Sequence, residues 1–213
     1  MRLTALAVTA VLALPATAFA QALPALPNLD ESAAQRSARR AAMAPPVLQE
    51  DAALQAAVAS ATRPEADRAR DAARHPFETL TFWGLHPNMT VVEIEPGRAG
   101  WWRNILEPYA AATGGRYVPV NRPLEGMGVE DGSADMIVVA RALHNWHRSN
   151  RTAPYMAAFF KALKPGGVLA IEQHRGAEGL NADQTAPTGY VSESYVIHAA
   201  QAAGFVLDGR SEL

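Results

Sequence analysis

From residue 90 onward the apolar positions gather in short runs, "TVVEI", "RYVPV", "ADMIVVA" and "VLAIEQ", rich in β-branched side chains and bounded by Gly, Pro, Asn or Asp. Runs of this length and composition predict strands. Between them the apolar period changes, and the spacing predicts helices around Trp102 to Ala112 and Thr152 to Leu163. A last helix from about Ser192 to Ala203 is followed by Gly204 and "FVLDG". Strands alternating with helices predict an α/β fold, a parallel sheet with helices on its faces. One step of the alternation is short. Only "NRPLEGMGVEDGS" separates Val120 from Ala134, whereas a strand-helix-strand unit takes roughly 30 residues. The sheet is therefore expected to lack one strand-helix unit after its second strand, and the stop at Leu213 leaves little room for a closing C-terminal hairpin.

Upstream, the pattern is helical and alanine-rich from Asp30 to Ala42 and from Leu48 to Ala61, with Asn28 or Asp30 placed to cap the first segment. "RPEADRARDAARHP" puts Pro64 at a first helical turn, and His75-Pro76 breaks the run before a short helix leading to Trp83. "QALPALPN" is Pro-spaced and expected to be extended. The first twenty residues, "MRLTALAVTAVLALPATAFA", set Arg2 before an apolar run that ends in small residues, the order of a cleaved signal peptide. That run is shorter than the about 20 apolar residues a membrane span needs. The expected organisation is a signal peptide over 1–20, a leash with Ala-rich helices over 21–62, and one domain over 63–213. A chain starting at Gln21 would be exported to the periplasm, with no stable membrane insertion after cleavage.

Composition narrows the function. Of 213 residues 49% are hydrophobic, enough for a real core. The formal charge of −2 removes the usual electrostatic reason to expect nucleic acid. There is no cysteine, and so no disulfide, thiolate nucleophile or Cys-ligated metal. Small-molecule chemistry fits better.

The candidate chemistry centres on "VVEIEPGRAGWW", Val91 to Trp102, where a strand runs into an acid and a Pro-Gly turn. In an open α/β sheet ligands lie beyond the carboxyl ends of the strands, and glycines there permit positive φ and close backbone approach. Further on, "LKPGGVLAIEQHRG" ends a helix at Lys164, turns at Pro165-Gly166 and enters a buried strand. Taken in order with "RPEADRARDAARHP", "GLHPNMTVVEIEPG", "ILEPYAAATGG", "ALHNWH" and "AAGF", these segments resemble class I S-adenosylmethionine-dependent methyltransferases, of a bacterial branch often made with a signal peptide. The resemblance spans about Arg63 to Leu213.

The resemblance implies a Rossmann-like methyltransferase sheet, S-adenosylmethionine as cofactor and a small-molecule acceptor. Glu93 matches the acid at the end of the first strand. In the glycine pattern that follows, Glu95 replaces the first glycine, Gly97 matches the second and Ala99 replaces the third. Pro96 and Gly97 fit the Pro-Gly-Gly-Gly-Trp of related proteins, and Arg98-Ala99-Gly100 departs from it. Where most of the family grips the ribose hydroxyls with an acid, this chain has Asn121, which can still accept a hydrogen bond. Glu130 and Asp131 are weaker substitutes and read better as a turn. After the fourth strand the family places substrate-facing residues, here His144, Asn145 and Trp146, expected to accept a proton, orient the acceptor and wall it.

Trp83 and Tyr117 fit core packing, whereas Trp101 or Trp102 is placed to cover a ligand. Arg70, Asp71, Arg74 and His75 resemble family positions, although a charged helix face also explains Arg70 and Arg74. His147 and His174 lack the local pattern of metal ligands, so no metal is expected. The eroded glycines and the missing unit leave a second reading open, a non-catalytic envelope binding protein on the same fold.

Overall fold

The structure is a computed structural model and describes residues 2–6, 10–11 and 51–213. Its centre is a parallel sheet of β3 (Thr90–Ile94), β4 (Arg116–Val120), β5 (Ala134–Ala140) and β6 (Leu163–Glu172), in the spatial order β4-β3-β5-β6. The chain moves outward from β3 to β4, then returns past β3 to lay down β5 and β6 on its other side. That reversal makes the carboxyl end of β3 the topological switch point, where ligands bind in open α/β sheets. The main chain of β1 (Arg2–Leu6) and β2 (Ala10–Val11) falls between β6 and β7 (Val206–Ser211). The expected leash and the helix over 30–42 lie outside the described residues, as does most of the expected signal peptide.

Side-chain alternation along the strands divides the core in two. Val92, Ile94, Ile137 and Val139 face α6 (Leu143–Arg148), α7 (Thr152–Ala162) and α9 (Glu193–Ala202), while α8 (Ala182–Thr185) adds Ala182 to that cluster. Val91, Met136, Val138 and Ala170 face α1 (Ala52–Ala59), α4 (Pro76–Phe82) and α5 (Arg103–Ala112). Trp83 is buried in this second cluster and Tyr117 packs against it, as core packing predicts.

Local chemistry sets the element ends. Asp51 caps α1 through Leu54 N–H, and Ser192 caps α9 through Tyr195 N–H. The run from Arg63 forms two single-turn helices, α2 (Glu65–Arg68) and α3 (Asp71–Arg74), because the chain turns at Ala69-Arg70. His75 then takes a left-handed conformation (φ 42°) and Pro76 opens α4, so the break falls where proline places it.

Among the described residues no strand lies beyond β4, and residues 121–133 return directly to β5, as their length predicts. This connection packs Met127 into the core, and Gly128 lies so close to β4 that a Cβ there would stand 2.7 Å from Val118 Cγ1. At the other side, β6 starts earlier than its apolar pattern suggests. Ala134 pairs with Leu163 and Met136 with Val168, so Lys164 to Gly167 bulge within the strand instead of forming a separate turn before it. Lys164 Nζ reaches Asp135 Oδ1 at 2.7 Å and pins the bulge.

Candidate functional site

The turn after β3 keeps a glycine-like backbone at a non-glycine position. Glu95 has φ 50°, Gly97 φ 69° and Gly100 φ 58°. A left-handed glutamate costs about 1–2 kcal/mol, so the surrounding contacts must hold it. They do so from two sides: Glu95 N–H donates to Val120 O at 2.7 Å, and Trp146 Nε1–H donates to Glu95 Oε2 at 3.0 Å. Above Gly97 the space is open, with no atom of the described residues within 4 Å of where a Cβ would stand. Gly100 is different. A Cβ there would lie 2.5 Å from Arg103 Nη2, so the absence of a side chain seats Arg103 at the start of α5. Pro96 is half-buried between Glu95 and the exposed Gly97.

Glu93 points to the α1/α4/α5 face and is only 2% exposed. Tyr117 O–H donates to its Oε2 at 2.7 Å. Burial raises its pKa to about 7, opposed by the Tyr117 hydrogen bond and by the charge of Arg103. The acid expected at the strand end is thus present, with its hydrogen bond made to the protein. Asn121, at the carboxyl end of β4, is exposed. Beyond it lies a groove of about 430 Å³ lined by Arg122, Leu124, Glu125, Arg151 and Tyr155. Glu130 and Asp131 are turn residues, and Asp131 pairs with Lys161 at 3.0 Å.

The three residues expected to face the acceptor do not converge. Trp146 is 2% exposed and packs edge-on against Tyr155, so it is a core residue whose one polar atom ties down Glu95. Asn145 is exposed on the outer side of α6. His144 is half-buried, and Gln173 settles its chemistry. Gln173 Oε1 accepts from Leu143 N–H at 3.2 Å, and its Nε2 donates to Gly189 O at 3.0 Å, which fixes the amide orientation. The Nε2 atom lies 3.4 Å from His144 Nδ1, which therefore faces a donor. Burial lowers the His144 pKa, keeping the ring neutral near pH 7. Gln173 Nε2 lies at the same 3.4 Å from His174 O, so His144 shares this amide with two main-chain carbonyls. A neutral ring carries one N–H and one bare nitrogen, and can orient a bound group through either.

His147 is occupied elsewhere, 2.7 Å from Asp183 Oδ1 and 2.9 Å from the Tyr195 hydroxyl. His174 is exposed beside Tyr190. Among the described residues no group of three His, Cys, Asp or Glu is placed to hold a metal ion. Nor is any helix there long and apolar enough to cross a membrane.

The tryptophan pair does not lie over the turn as a cover. Trp101 and Trp102 are buried at 5% and 3%, stacked edge to face with centroids 4.6 Å apart. Trp101 Nε1–H donates to Asp67 O, and Trp102 Nε1–H donates to Glu172 Oε2 at 2.9 Å. Around this pair the structure gathers Asp71 and Arg74, two of the residues singled out ahead of the first strand, together with Arg63, Arg141 and Glu172, which sequence reading passed over. Arg63 makes a bidentate bond to Asp71 at 2.7 and 2.8 Å, and Arg74 lies over the Trp101 ring at 4.7 Å. Arg141 and Glu172 stand at the carboxyl ends of β5 and β6. The residue at or just past each apolar run, in "ADMIVVAR" and "VLAIEQ", was the signal available for both.

No protein family and no curated protein matches the chain. Among solved structures it is similar to phosphoethanolamine N-methyltransferase 2 of Haemonchus contortus in complex with S-adenosyl-L-methionine, at 15% identity and TM-score 0.40. It is also similar to that enzyme in complex with phosphomonomethylethanolamine and S-adenosylhomocysteine, at 17% identity and TM-score 0.40. Each match covers 59% of this chain, which spans 35% of the neighbour's length.

Proposed function

We propose that the chain binds S-adenosylmethionine at the turn after β3 and directs its methyl group to a small acceptor, as an exported protein beginning at Gln21. One observation carries the reading: Glu95, Gly97 and Gly100 hold left-handed backbone at the switch point of the sheet, with open space above Gly97. Such a turn lets a ligand reach main-chain amides that a side chain would otherwise cover. The residues fit the cofactor in this sense. Gly97 and the adjacent amides would hold its amino-acid end. Asn121 and the groove beside Arg122 and Leu124 would take the nucleoside, the amide accepting from a ribose hydroxyl.

When bound, the sulfonium supplies an electrophilic methyl group, so the protein has chiefly to align an acceptor and exclude water. His144 would orient the acceptor through its neutral imidazole ring. Glu93, buried beneath the turn and held by Tyr117, would support the turn rather than touch the ligand.

A second reading has its own support, since Glu93 and Glu95 already accept hydrogen bonds from Tyr117 and Trp146. On that reading the fold serves a binding protein without transfer. Calorimetric titration of the full chain, and of the chain from Gln21 that lacks β1 and β2, with S-adenosylmethionine and with S-adenosylhomocysteine separates the two. Heat with both, abolished in Gly97→Trp, supports cofactor binding; a folded protein giving no heat with either ends it. Mass spectrometry of the product recovered with its own leader tests cleavage before Gln21.

A further inference from the structure

Arg141 is the most strained cation of the sheet edge. It sits just past β5 with φ 53°, a conformation that costs a non-glycine residue about 1–2 kcal/mol. Its N–H donates to Glu172 O at 2.7 Å, which fixes the main chain. Its side chain is less well served. Arg141 Nε is buried and makes no hydrogen bond among the described residues; Glu172 Oε1, at 3.9 Å, offers charge but not bonding distance. Arg74 repeats the situation from the other side. Its guanidinium rests on Trp101, and its buried Nη1 has no hydrogen-bond partner among the described residues.

A buried donor without a partner costs about 1–3 kcal/mol, and the two guanidinium groups, linked through Glu172, Trp102 and Trp101, offer such donors to an incoming acceptor. The Arg74 pKa is lowered, first by burial and next by Arg141, while Glu172 and Asp67 oppose and Arg70 adds to the effect. Glu172 is the carboxylate between the two arginines in charge terms, and its other oxygen is taken by Trp102. Arg70 and Asp67 offset each other, so Arg74 and Arg141 against Glu172 leave a single positive charge, which suits a monoanion better than a phosphate dianion. The site opens to solvent, with the Arg141 side chain 39% exposed and that of Glu172 19%.

We propose that Arg74 and Arg141 form a carboxylate-binding site at the carboxyl ends of β5 and β6, which holds an acidic group of the methyl acceptor. Position assigns the occupant. Strands are about 4.8 Å apart, so β6 lies roughly 10 Å from β3, and a cofactor laid over β3 and β4 leaves this end free. The assignment to an acceptor rests on the methyl-transfer reading; the anion site itself does not.

The test uses acetate, benzoate and inorganic phosphate as probes, added to the folded protein at constant ionic strength and followed by indole emission, since Trp101 lies under Arg74. Saturable responses to the two carboxylates are expected, weakened at least tenfold in Arg74→Gln and in Arg141→Gln and within fivefold of wild type in Arg141→Lys. Glu172→Gln removes the competing anion while leaving an oxygen for Trp102, and should tighten benzoate several-fold, an effect a merely structural role would not produce. No saturable response, unchanged affinity in both glutamine variants, or tighter binding of phosphate than of either carboxylate would overturn the site. Calorimetry of the same variants with S-adenosylhomocysteine and 5′-methylthioadenosine, which lacks the amino-acid carboxylate, identifies the source. Loss of the first with retention of the second assigns the site to the cofactor and overturns the acceptor. Carboxylate binding without affinity for either nucleoside refutes methyl transfer and leaves the anion site standing.

Discussion

The two ends of the sheet's ligand-facing edge treat their charged groups in opposite ways. At β3 and β4 the carboxylates are already served by the protein, Glu93 by Tyr117 and Glu95 by Trp146. At β5 and β6 two guanidinium groups keep donors that nothing among the described residues accepts. The first end is locked, because its polar groups hold the turn in a strained shape. The second holds polar groups at a cost to folding, and such a cost is retained where a ligand repays it.

Four substitutions break or sharpen this contrast. Trp146→Ala removes a fully packed indole and the donor to Glu95 together, and is expected to lower stability by about 3–5 kcal/mol in urea unfolding; a loss below 1 kcal/mol would mean that the locked end is not locked by this contact. Glu93→Gln reads burial through pH. The folded pKa of about 7 lies above that of the unfolded chain, so the native state binds the extra proton and wild-type stability falls as pH rises from about 4.5 through 7. The glutamine should therefore match wild type at pH 4.5 and exceed it by up to about 3 kcal/mol at pH 8, measured by thermal melting. Identical melting differences at the two pH values would contradict a buried, titrating Glu93.

At the open end, Arg141→Gly removes both the left-handed arginine and an unpartnered buried donor, and is expected to stabilise by about 1 kcal/mol while abolishing carboxylate binding. A destabilised variant would show that Arg141 is a packing residue. Smallest is Glu95→Gly, which relieves strain but gives up the Trp146 bond, so stability should stay within about 1 kcal/mol. Its informative readout is affinity for S-adenosylhomocysteine, expected to rise on the proposed methyl-transfer reading because the turn gains a glycine and sheds a carboxylate. Unchanged affinity would detach Glu95 from the cofactor cradle.

What was legible in the sequence follows from the range of the interactions involved. The four central strands, the short return after β4 and the ends of α9 are fixed by local pattern: β-branched runs, Pro and Gly punctuation, and the Ser192 cap. The β6 bulge escaped because "KPGG" reads locally as a turn, and only pairing with β5 draws it into the strand. The acid at Glu93 and the turn were visible for the same local reason. Their partners were not, since Tyr117 is 24 residues away and Trp146 51 residues from Glu95. "ALHNWH" suggested three side chains acting together, but helical periodicity sends Trp146 inward and Asn145 outward. Arg74, Arg141 and Glu172 meet only through the fold, with no shared motif to announce them.

The missing strand-helix unit leaves β4 at the rim of the sheet, where a row of open main-chain groups invites another chain to add itself. In β4 the amides of Arg116 and the carbonyl of Val120 turn inward, bonding Met89 O and Glu95 N–H. By alternation, Tyr117 and Pro119 turn their main chain outward, and Pro119 has no N–H to offer. The shortened sheet thus carries its own stop against fibre growth, a single imino acid placed where an intermolecular ladder would need a donor.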